Sequence, residues 1–179
     1  MVTSLGNQNL IDNQLWQVYC DIYFSGYLRK QPLLHSLNNK KGAVISIWNP
    51  LGGHFCQLKN NQLGRAKRTL LRHVNHTHFL LWGCSKDFTY RELSVFIEVN
   101  QNEAQRFAKL AQQLAYYYIE DGMLVLKSTY QVNTQQELGK LSKHIITRPN
   151  SLGLSNLTSG LGKGFGIENF LKTNLRTIQ

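Results

Sequence analysis

The stretch AYYYIEDGMLVLKST (115–129) decides the fold. Two apolar runs, 115–119 and 123–129, flank Glu120-Asp121-Gly122. An Asp-Gly pair between such runs predicts a β-hairpin, because both turn positions need positive φ. Upstream, Asn100 or Asn102 can cap a helix whose first turn holds Glu103, with Ala104, Phe107, Ala108, Ala111 and Leu114 as its apolar stripe. ELSVFIEV (92–99) and HFLLWGC (78–84) read as strands. Between 58 and 74 the period changes: Leu63, Ala66, Leu70, Leu71 and Val74 fall three or four apart, a helix that only Gly64 interrupts. AVISIW (43–48) is a strand that stops at Asn49-Pro50, and residues 28–42 are a loop with at most a short helical turn. The aromatic run WQVYCDIYFSGY (16–27) predicts the first strand.

The order is then ββαββαββ: an α+β domain with a mainly antiparallel sheet and two helices packed on one face, compatible with a ferredoxin-like arrangement. The alternative is an open sheet with a helix on each face. The domain spans 14–130. Residues 1–13 form a polar arm. Residues 131–179 form a C-terminal extension outside the sheet, with short helices at 135–145 and 167–175 around a Gly- and Ser-rich segment. Its many Leu and Phe residues predict that it lies on the domain or on a protein partner.

Among 179 residues, 42 % are hydrophobic, which excludes a wholly disordered chain. Cys20, Cys56 and Cys84 are odd in number and far apart, as expected of reduced thiols in a cytoplasmic protein. The first residues carry no signal-peptide pattern, and no apolar run approaches the roughly 18 residues of a membrane helix.

The charge is uneven. Twenty Lys and Arg face ten Asp and Glu, a net +10. Between Ile22 and Lys86 there is no acid, and that window holds Arg29, Lys30, Lys40, Lys41, Lys59, Arg65, Lys67, Arg68, Arg72 and Lys86. The whole excess arises there. Such a surface suits a phosphate-rich partner, nucleic acid above all, bound by a non-enzymatic module with salt-dependent affinity. The bland reading is a solvated helix face.

Other constellations fail on spacing. His73, His76 and His78, with His54 and Cys56, lack the paired spacing of a zinc site, so no metal and no cofactor is expected. SGLGKGFG (159–166) misses the phosphate-loop pattern at Leu157 and Gly164. The aromatic residues of the first and third strands lack an RNA-recognition signature, and core packing is their simpler role.

Several motifs nonetheless belong together: ISIWNP (45–50), Asn61 and Arg65 on the helix, WGC (82–84), RELS (91–94), and Gln113 ahead of AYYY (115–118) and DGMLVL (121–126). Together they resemble a bacterial domain-of-unknown-function family, family three-two-nine-three, over about residues 13–129. That family usually has Phe-Gly before the Gln, where Ala111-Gln112 stands here. The resemblance implies no activity. It implies a set of positions: Asn49, Asn61, Arg65, Glu92 and Gln113. Converging near one end of the sheet, these would make a polar pocket for a small molecule or an enzymatic reaction, with Glu92 as the acid–base group. The structural alternative has Asn49 capping a turn and Arg65 paired with Glu92.

Overall fold

The computed structural model describes residues 11–26, 32–53, 55–71, 75–131 and 133–147. These lie in a compact unit that extends to Thr147. The elements run α1 (Asn13–Cys20), β1 (Tyr23–Gly26), α2 (Leu33–Leu37), β2 (Gly42–Ser46), α3 (Gln57–Leu71), β3 (His78–Cys84), β4 (Arg91–Ile97), α4 (Gln101–Leu110), β5 (Ala115–Glu120), β6 (Met123–Ser128) and β7 (Gln135–Lys140). The protein is α+β; among the described residues there are four α-helices and a seven-stranded antiparallel sheet in the order β1-β3-β4-β2-β5-β6-β7. This order replaces the ferredoxin-like one.

The hairpin forms as its sequence dictates. Asp121 (φ 51°) and Gly122 (φ 70°) take the left-handed turn between β5 and β6. At α4, the Asn100 side chain accepts the Glu103 N–H while the Glu103 carboxylate accepts the Asn100 N–H, a reciprocal cap.

Two expectations are corrected. The run 16–27 is not one strand. Its first half continues a helix from Asn13, because Asp12 accepts the Leu15 N–H at 2.7 Å and caps it. Trp16, Tyr19 and Cys20 then fall at helical spacing and pack on the core. Only Tyr23–Gly26 pairs, antiparallel to β3. The second correction concerns the segment after 130. Residues 135–140 are a strand, β7, paired with β6, so the sheet extends past residue 130, and Leu141–Lys143 is a 3₁₀ turn rather than helix. Most of the expected polar arm (1–10) and the expected Gly- and Ser-rich segment with its helix at 167–175 lie outside the described residues.

After β7 the chain returns to β1. The Phe24 N–H donates to the His144 carbonyl at 2.7 Å, and the Ile146 N–H to the Phe24 carbonyl at 2.9 Å. A parallel bridge joins Phe24 and Ile145. With β3 on its other side, β1 has no open edge here, and the sheet curls back on itself. Side-chain alternation then separates two faces. Phe24, Val44, Phe96, Tyr117, Leu124 and Leu126 form one core with Leu33 and Leu37 of α2, and Trp16 and Tyr19 of α1 pack against it. The other face carries Trp82, against which Trp48 packs edge to face, ring centroids 5.7 Å apart. Gly64 is what lets α3 meet Trp48: a Cβ there would come 3.1 Å from the indole Nε1. Each fully buried Leu, Ile or Phe contributes roughly 1.5–3 kcal/mol.

Candidate functional site

The first core face ends in a cavity. It begins where β2 finishes. Val44 lies opposite Phe96, Ser46 opposite Ser94, and Glu92 opposite Gly83, so Ser46 and Glu92 share the face of the core. Gly83 is closely neighboured there: a Cβ would lie 3.3 Å from Ser94 Oγ and 3.7 Å from Glu92 Cγ. Beyond Ser46 the chain turns sharply. Asn49 (φ 44°), Leu51 (φ 56°) and Gly52 (φ 70°) are all left-handed, as is Gln112 (φ 55°), whose carbonyl accepts the Leu51 N–H at 2.7 Å. Asn tolerates this region; Leu does not readily, and such clusters are stored at sites.

The turn is fixed from α3. Asn60, buried, accepts the Asn49 N–H at 3.0 Å and donates through Nδ2 to Asn49 Oδ1 at 2.8 Å and to the Phe55 carbonyl at 3.1 Å. Gln113, also buried, donates to the Trp48 carbonyl at 2.7 Å. On the other side α1 forms the wall. Tyr117 Oη donates to the Tyr19 carbonyl at 2.9 Å, and Trp16 Nε1 donates to Gln136 at 2.9 Å.

What remains between these walls is a cavity of about 340 Å³. Leu15, Val18, Tyr19, Ile22, Ala115 and Tyr117 give it an apolar and aromatic side. Ser46, Asn49, Tyr90, Glu92 and Gln113 give it a polar one. Small-molecule sites commonly have this size and this mix, and the mouth of a curled sheet is a usual place for one.

Glu92 is its chemical centre. Its carboxyl is surrounded by protein yet keeps some surface open to the cavity. Burial pushes its pKa up to about 7, against hydrogen bonds from Tyr90 and Ser46 that favour the charged form. A chain of donors leads to it: Asn49 Nδ2 donates to Tyr90 Oη at 3.2 Å, and Tyr90 Oη donates to Glu92 Oε2 at 2.9 Å. Burial raises the Tyr19 pKa to about 12 and that of the Cys84 thiol to about 12, so both stay protonated near neutrality. Glu92 is the group poised to exchange a proton at neutral pH.

Of the five pocket positions named from the sequence, Asn49, Glu92 and Gln113 line the cavity; Asn61 and Arg65 do not. The asparagine that meets Asn49 is Asn60, one residue earlier. The exposed Arg65 stands on α3, the helix that packs against Trp48. Tyr19, Tyr90 and Tyr117 escaped sequence reasoning. Tyr90 lies just before β4, outside the strand read from 92 to 99, so strand alternation did not mark it. Tyr19 was hidden by reading α1 as a strand.

The basic residues take several roles. Lys40 pairs with Glu98 at 2.7 Å, and Lys41 pairs with Glu120. Lys67 turns inward, donates to the Ala111 carbonyl at the end of α4, and has its pKa lowered to about 8 by burial. Lys59 sits 4.0 Å over the Phe55 ring. Arg68 donates to the Gly64 carbonyl at 3.3 Å. Arg29, Lys30 and Arg72 lie outside the described residues, as do His54 and His73. Among the described residues no group of three or more His, Cys, Asp or Glu could hold a metal ion. No described helix is long and apolar enough to cross a membrane.

No family model, no curated protein and no solved structure matches this chain.

Proposed function

We propose that this protein binds a small organic molecule in the cavity between α1 and the β2–β4–β5 face, and that Glu92 is the group that exchanges a proton there. One observation carries the reading: the Glu92 carboxyl, which burial pushes up to about 7, stands at a cavity of about 340 Å³ and accepts the Tyr90 hydroxyl at 2.9 Å. A core that needed only packing would have filled that space, since interiors are close-packed. A carboxyl that served only the fold would gain from a charged partner. Glu92 instead has hydroxyl partners and an open side.

The test is thermal denaturation of the full chain against a broad panel of metabolites, beside the cavity-filling variant Ala115→Leu. A compound class that raises the wild-type Tm by several degrees, and not that of Ala115→Leu, supports the reading. An unchanged Tm across the panel contradicts it.

A phosphate-rich partner for the basic surface is the second reading. It rests on the exposed side chains of Lys59 and Arg65 on α3. It has less support, because Lys40, Lys41 and Lys67 are engaged within the fold. Fluorescence anisotropy at low salt with duplex and single-stranded nucleic acid decides it: no binding below about 10⁻⁴ M removes it.

A further inference from the structure

The cavity's polar groups are one-sided. Among its described lining residues only Asp21 and Glu92 are acidic or basic, and both are acids. Three side-chain donors of the lining are engaged within the protein. Asn49 Nδ2 is spent on Tyr90, Tyr90 Oη on Glu92, and Gln113 Nε2 on the Trp48 carbonyl. Arg91, next to Glu92 in sequence, falls on the opposite face by strand alternation and lies over the Trp82 ring, 5.4 Å from its centroid. The remaining wall is aromatic and aliphatic: Leu15, Val18 and Tyr19 come from α1 and Tyr117 from β5. A bound anion would meet a carboxyl with no cation among the described lining residues to offset it. A cation would meet a carboxylate, and aromatic rings whose faces attract positive charge.

We propose that the cavity takes an organic cation: a small primary amine on an apolar body, with its ammonium against the Glu92 carboxylate and its body against Tyr19, Tyr117 and α1. This inference rests on the cavity being a ligand site. Its pH signature follows from the groups that face Glu92. Tyr19 on α1, Tyr90 before β4, Tyr117 on β5 and Cys84 on β3 all have raised pKa values through burial and keep their protons. Asp21 is exposed at the rim. Glu92 thus dominates the pH response near neutrality. With its free pKa near 7, Glu92 is about one-tenth ionised at pH 6 and nine-tenths at pH 8. A cation that needs the carboxylate must therefore bind about tenfold more tightly at pH 8 than at pH 6, releasing a proton at the lower pH.

The experiment is calorimetric titration of the full chain at pH 6 and pH 8 with three probes of one shape: 2-phenylethylamine, 2-phenylethanol and 3-phenylpropanoate. The amine should bind most tightly, with the tenfold pH dependence. Glu92→Gln should abolish that dependence and the preference for the amine, while still taking the alcohol. If the alcohol or the propanoate binds as well as the amine, or if the amine's affinity does not rise with pH, the cation is wrong and the ligand site stands. If none of the three binds, the cation falls. The ligand site falls with it only when wild type and Ala115→Leu also respond alike to the metabolite panel.

Discussion

Tyr117 Oη donates to the carbonyl oxygen of Tyr19 at 2.9 Å, a hydrogen bond between residues 98 apart in the chain. Tyr117 belongs to β5 and Tyr19 to the last turn of α1. The carbonyls of a helix's last turn have no partner within the helix, so this hydroxyl satisfies one of them and fixes α1 over the cavity. Without it, α1 is held by the packing of Trp16, Tyr19 and Cys20 and by the bonds of Trp16 and Cys20 to Gln136.

Tyr117→Phe should therefore loosen α1 more than the sheet. The loss is about 1 kcal/mol, that of one partly buried neutral hydrogen bond. Hydrogen-exchange mass spectrometry should show faster exchange across residues 13–20 and unchanged protection in β2 and β4. Equal loss of protection in both would mean that α1 is not a separable wall.

The turn after β2 allows backbone and side chain to be separated at one position. Asn49 is left-handed and its side chain bonds Asn60, Tyr90 and the Phe55 N–H. Asn49→Gly keeps the backbone at no steric cost and loses those bonds. Asn49→Ala loses them and strains the backbone as well. Urea denaturation should rank the stabilities wild type, then Gly, then Ala, with about 1 kcal/mol between the last two. Alanine matching or exceeding glycine would show that the left-handed turn is not kept in solution.

Much of this fold was legible in the sequence because local and tertiary signals agreed. The Asp121-Gly122 turn, the Asn100 cap, and the alternation of β4 each specify one structure on their own. The failures have physical causes. In WQVYCDIYFSGY (16–27) aromatic content argued for a strand, but the Asp12 cap and the spacing of Trp16, Tyr19 and Cys20 make the first half helical. β7 (QQELGK) has almost no apolar residue, so nothing local marked it; its pairing with β6 decides it, through a register shift at Leu124/Val125. At the site, Asn49, Glu92 and Gln113 could be named in advance. Asn60 rather than Asn61 could not, because both sit on one helix and only packing decides which faces the turn. The acid-free window in the sequence did not predict acid-free space: Glu98 and Glu120 lie far along the chain and come to Lys40 and Lys41 through β-sheet neighbours.

Stability should carry the mark of Glu92. Its folded pKa, about 7, lies above its ordinary 4.5, so the folded state binds the proton more tightly than the unfolded one. The stability this contributes is full below about pH 4.5 and is lost as pH rises through 7. Chemical denaturation at pH 5 and pH 8 should show wild type losing on the order of 2 kcal/mol relative to Glu92→Gln. A constant difference between the two proteins would mean that the carboxyl is not held in a desolvated site.

The most direct measurement is the ionisation of Glu92 itself, followed by carbon-13 NMR of the side-chain carboxyl in the full chain, assigned by its disappearance in Glu92→Gln. The expected titration midpoint is about pH 7, where burial places it. A midpoint at the ordinary 4.5 would contradict it, because the carboxyl would then be solvated and the cavity would hold no proton-exchanging group.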